Sequence, residues 1–130
     1  MKIPTNLQTH NTPLSTIWID KQGILCSVAK KDIPITIDGL TNVYALITTL
    51  TKGQKMCTLT EMSNISHADK EMRDFASQEN EKFTKAMALI AKNKFASLIG
   101  NLFLGFNKPS YPAKLFWIEQ EAREWIKQYL

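Results

Sequence analysis

Ser66 and His67 stand side by side, and a hydroxyl beside an imidazole is the raw material of a nucleophile with its base. Adjacency in sequence does not aim Oγ at the ring, and no GxSxG elbow surrounds the pair. Cys26 and Cys57 form no CxxC motif and have no plausible histidine partner; both lie in apolar stretches, as reduced core cysteines do. His10 and His67 have no nearby Cys or His to complete a metal set. Gly100 and Gly105 give a GxxxxG spacing, but the Lys-Ser/Thr that would hold phosphate is missing and the stretch is helical in pattern. Glu61, Asp69, Glu71 and Asp74 are better read as a loop and a solvated helix face than as a carboxylate site. The chemistry-bearing residues therefore predict no enzyme, no catalytic residue, no cofactor and no metal.

The chain has 130 residues, enough for one domain with its own core. The net charge of +4 raises the question of nucleic acid, yet the sixteen Lys and Arg are dispersed. Lys92, Lys94, Lys108 and Lys114 could gather into a patch for anionic lipid or nucleic acid; a solvated rim is the simpler reading. Residues 1–14 hold prolines and polar residues, read as a loose lead-in without the apolar core of a signal peptide. No apolar run is long enough to span a membrane, and a cytoplasmic protein is expected.

The elements that would position these residues alternate. Residues 16–20 and 24–29 read as strands joined through Gly23 in a tight turn. Thr36 caps a helix with apolar positions Leu40, Val43, Tyr44, Ile47 and Leu50, ended at Gly53. Residues 55–60 form the next strand, and Asp69 caps a polar helix reaching about Gln78. The unbroken apolar run Ala86 to Ala91 suits a strand buried on both faces, with helix the competing assignment. Residues 113–118 are the last strand and 119–130 the last helix. The order ββαβαβαβα predicts an α/β fold with about five strands, parallel where crossovers operate and antiparallel at the first hairpin.

No charge lies between Lys94 and Lys108. Phe95, Leu98, Ile99, Leu102, Phe103 and Phe106 recur at helical spacing and predict a buried stripe. The other side carries Ala96, Gly100 and Leu104 at intervals of four, and two glycines inside a helix need a reward such as close approach by another backbone. Either another element or a second copy should cover it, so Ala96, Gly100 and Leu104 are candidate interface residues of a homodimer. Trp117 and Ile118, apolar neighbours at a strand–helix junction, are the other candidates.

The runs Leu59-Thr60-Glu61-Met62, Leu98-Ile99-Gly100-Asn101, Pro109-Ser110-Tyr111-Pro112-Ala113-Lys114-Leu115-Phe116 and Glu121-Ala122-Arg123-Glu124-Trp125-Ile126 resemble small bacterial proteins of the SpoIIAA-like, or STAS-like, superfamily. The resemblance spans about residues 16 to 130 and is best over the last third. It implies a mixed sheet with stacked helices and no catalytic residues. Better-known members are switched by phosphorylation of a serine in an Asp-Ser-Ser-Gly-like turn. Ser66 is the nearest match by position, without that aspartate and glycine. The sequence thus leads to a non-enzymatic STAS-like module over residues 15–130 that binds a protein partner. A small-molecule or lipid carrier with an apolar pocket and a weak nucleic-acid binder are the alternatives.

Overall fold

The computed structural model describes residues 1–130. Six strands, β1 (His10–Asn11), β2 (Ser15–Ile19), β3 (Leu25–Ala29), β4 (Met56–Glu61), β5 (Thr84–Ile90) and β6 (Ala113–Phe116), form one sheet in sequence order. The helices are α1 (Ile37–Thr51), α2 (Lys70–Asn80), α3 (Lys94–Phe106) and α4 (Glu119–Ile126). The first three strands pair antiparallel, and β3 to β6 run parallel. The α/β class and the antiparallel-then-parallel arrangement are those expected. The additional strand, β1, is not: His10 and Asn11 pair with Ile17 and Thr16, so the lead-in is tied to the sheet edge.

Local chemistry fixes the ends of the elements. Asp20 Oδ1 accepts from the amides of Gln22 and Ile24, and Gly23 takes φ +79°, which closes the β2–β3 turn. Thr36 Oγ1 accepts from Gly39 N at 3.0 Å, and Asp69 Oδ1 accepts from Met72 N at 3.0 Å, each as an N-cap. Helix α1 ends with Lys52 and Gly53 both at positive φ. Strand β6 stops at Phe116, two residues earlier than its apolar run, and Ile118 opens α4 without a side-chain cap.

Crossovers that step in one direction along the sheet lay α1, α2 and α3 on one face. Helix α4 packs on the other, against β4, β5 and β6. Its layer buries Trp18, Cys26, Cys57, Leu59, Phe116, Ala122 and Ile126. The opposite layer holds Ile17, Leu25, Val43, Tyr44, Ile47 and Phe83 under α1, and Met62, Met87, Leu89 and Phe103 under α3.

Helix α3 is rotated from its expected setting. Ala96 is fully buried, Gly100 is buried and Leu104 is half-buried, so this line faces the sheet rather than a second copy. Phe95, Leu98 and Phe106 are 74%, 58% and 81% exposed. The cause is size: a Cβ on Gly100 would stand 3.0 Å from Leu115 Cδ1 and 3.3 Å from Met62 Sδ. The glycine lets the helix settle onto those side chains.

One clamp joins the hairpin to α4. Arg123 Nη1 donates to Asp20 Oδ2 at 2.9 Å, and its Nε donates to Glu119 at 2.8 Å. Beside it, burial and then the Asp20 carboxylate push the Cys26 thiol up to about 12, against the opposing pull of Arg123.

Two predictions follow from this packing. Phe103→Ala should lower stability by about 3–5 kcal/mol, whereas Leu98→Ala should cost less than about 0.5 kcal/mol, both read in urea melts. Equal losses would place α3 in its unrotated setting. The folded state also keeps the Cys26 proton above the ordinary thiol value of 9.0, where the unfolded chain releases it. The thiol's contribution is therefore complete below about pH 9 and declines as pH rises towards about 12. Melts from about pH 8 to about pH 9.5 should show falling stability that Cys26→Ala makes shallower, the slope left over coming from Cys57 and the onset of tyrosine ionisation in the unfolded chain. An unchanged slope would mean the thiol is not shielded.

Candidate functional site

The layer under α1, α2 and α3 does not close. Between these helices and the sheet lies a cavity of about 580 Å³, within the range of small-molecule sites. Its floor is the α1–α3 side of β2, β3, β4 and β5, where Ile17, Leu25, Met87 and Leu89 face inward. Val43, Tyr44 and Ile47 of α1, Met72 and Ala76 of α2, and Ile99 and Phe103 of α3 form the walls. A strand presents alternate residues to opposite faces, so Thr58, between Cys57 and Leu59 of the α4 layer, must face this cavity.

Four hydroxyl residues, Ser15, Ser27, Thr58 and Thr60, lie in this otherwise apolar floor. Ser27 and Thr60 are register partners on β3 and β4, and Ser27 Oγ donates to Thr60 Oγ1 at 3.1 Å. Thr58, 3% exposed, has no hydrogen-bond partner for its Oγ1. A buried hydroxyl without a partner costs about 1–3 kcal/mol, and Thr58 Oγ1 bears that cost beneath the floor, out of reach of a molecule held above it. Tyr44 also lines the space; burial, then Tyr111 and Glu79, hold its phenol above its ordinary range.

The polar mouth is made by the loops that follow β3 and β4. Lys30, Asp32, Ser66, His67 and Arg73 border it, with Ile33 44% exposed among them. Arg73 Nη1 donates to Ala68 O at 2.6 Å and braces the second loop. The opening thus lies beyond the carboxyl ends of parallel strands, where crossover loops leave space in α/β sheets.

The candidates from sequence fall in several places. Ser66 and His67 are exposed at the cavity mouth. Ala96 and Gly100 are buried against the sheet, and Leu104 packs at the edge of the same layer. Trp117 and Ile118 remain exposed, at 52% and 53%. Glu61 is drawn inside, where Oε1 accepts from the Met1 amino group at 2.7 Å and lies 3.5 Å from Lys92 Nζ. Asp74 meets Lys70 at 2.6 Å and Asn107 at 2.7 Å, and these hydrogen bonds lower its carboxyl below the usual range. The carboxylates read together from sequence are thus separated by their partners. No three His, Cys, Asp or Glu side chains are placed to hold a metal ion. Sequence reading missed Thr58, Ser27 and Thr60, because hydroxyl residues in a strand are ordinary until the layer above them is known to be open.

None of the curated proteins matches the chain. Among solved structures it is similar to a protein of unknown function from Arthrobacter sp. FB24, at 19% identity, covering 86% of this chain and 92% of that one, with a TM-score of 0.32. A family model matches residues 17–130, from the second strand of the sheet to the last residue of the chain. By that match, the chain belongs to the family described as Domain of unknown function (DUF7793).

Proposed function

We propose that the chain is a non-enzymatic binding module that takes a small, largely apolar molecule with one hydrogen-bonding group into the cavity. A cavity of about 580 Å³ under α1–α3, with the half-buried Ser27–Thr60 hydroxyl pair in its apolar floor, carries this reading. Apolar walls supply affinity by burial, and the hydroxyl pair in the floor sets orientation. The mouth residues keep the polar end of such a molecule near water. A regulatory STAS-like module that binds a protein, alone or as a homodimer, is the second reading; the exposed Trp117–Ile118 pair favours it.

The test is titration with a fluorescent naphthyl fatty acid, beside native mass spectrometry of the purified protein. Thr60→Val keeps the shape of the side chain and removes the hydroxyl. It should weaken probe binding by about tenfold while changing the melting midpoint little, since both hydroxyls of the pair are only half-buried. Ala76→Phe should abolish binding by filling the space, with the fold retained. Probe affinity indifferent to both changes would remove the cavity as the site.

A further inference from the structure

The outer face of α3 is apolar where a helix face normally carries charge. Phe95, Leu98, Leu102 and Phe106 lie along one line, and three of them are more than half exposed. At about 1.5 Å per residue the line runs about 16 Å. It is bracketed by Lys94 and Lys108, both exposed.

The charges that flank it in the chain have one sign. Every charged residue between Glu81 and Glu119 is a lysine: Lys82, Lys85, Lys92, Lys94, Lys108 and Lys114. Lys82 is paired with Glu79, and Lys114 lies over the Phe116 ring on the α4 side of the sheet, so Lys94 and Lys108 are the cations that flank this face, and three acids of the region are already held. Glu61 is buried and held by the Met1 amino group and Lys92. Asp74, beside the end of α3, is bonded to Lys70 and Asn107. Glu119 pairs with Arg123. Lys94 also stands in the first helical turn, where the helix dipole disfavours a cation and no acid is present. Its placement costs the isolated helix and suits an anionic surface.

We propose that the Phe95–Leu98–Leu102–Phe106 face of α3 docks on an anionic lipid bilayer, lying in the headgroup plane with its lysines against the lipid phosphates. Aromatic and leucine side chains with flanking lysines are the composition of helices that lie in this interface without spanning it. Charge complementarity selects this occupant. A second copy would bring another lysine-bracketed face against this one, with like charges and no acid to pair. The site does not depend on the cavity holding a ligand.

Sedimentation with vesicles tests the assignment. The protein should pellet with phosphatidylglycerol–phosphatidylcholine vesicles, not with phosphatidylcholine alone, and added salt should release it. Phe95→Ser and Phe106→Ser should each lower partitioning by about tenfold, as removal of a buried aromatic does. Lys94→Glu combined with Lys108→Glu should lower it at least as much. These side chains are exposed, so in circular dichroism melts the phenylalanine variants should match the wild type and the lysine variant should melt at or above it. Absence of binding to anionic vesicles, or equal binding by the wild type and the phenylalanine variants, would overturn the proposal. So would a wild-type dimer, by sedimentation equilibrium, that Phe106→Ser converts to monomer. Retention on DNA lost in the same variants, with no vesicle binding, would assign the face to nucleic acid instead.

Discussion

Strand β5 is covered on both sides, and the rest of the structure is arranged to keep it so. Every residue from Thr84 to Ile90 is buried except Lys85. Ala86, Ala88 and Ile90 face α4, and Met87 and Leu89 face the opposite helices. A strand without a polar face must sit between parallel neighbours whose crossover helices cover the sheet. Strands β4 and β6 are those neighbours. The alanines facing α4 are small, and Ala122 of that helix is fully buried above this layer. Side-chain size therefore sets how close the helix comes, and the strand's composition sets that a helix must be there.

The two layers over β5 are built differently. Under α4 the space is filled by large rings: Trp18 and Phe116 are buried, and Phe116 lies 5.7 Å from Trp125. The Arg123–Asp20 pair then ties that helix to the β2–β3 turn. Under α1–α3 the floor carries Ser27, Thr58 and Thr60, and a cavity remains. Hydroxyls set among apolar walls are a poor choice for packing alone, because each must find a partner or be left short. One layer is composed for stability. The other forgoes packing and keeps room. Such a division lets a small domain hold an internal space, since the tightly filled layer does not have to open for anything to enter the other.

Much of the fold was legible because it is written in local signals. Thr36 and Asp69 announce the starts of α1 and α2 by capping chemistry, and the run Ala86–Ala91 announces a buried strand by its lack of any polar face. The two residues of β1 show no period that a sequence can display. Helix α3 was legible as a helix and illegible in its rotation. Periodicity orients a helix only when one side is polar, and here both sides are apolar or small. The deciding quantity was volume at Ala96 and Gly100, felt only against Leu115 and Met62, which lie far away in the chain. The cavity was illegible for a related reason. Its lining comes from four strands, three helices and four connecting segments, and an unfilled volume leaves no pattern in any one of them.

Helix α3 joins the two features that face outward from this core. Ile99 and Phe103 wall the cavity on its inner side, while Phe95, Leu98 and Phe106 are exposed on its outer side. Among its fully buried positions only Phe103 is large; Ala96 and Gly100 contribute proximity rather than area. A helix held this way is seated by close approach more than by area, so the volume at Gly100 against Leu115 and Met62 sets where it lies. The same thirteen residues form both surfaces, so that one seat fixes the cavity wall at Ile99 and Phe103 together with the outward setting of Phe95, Leu98 and Phe106.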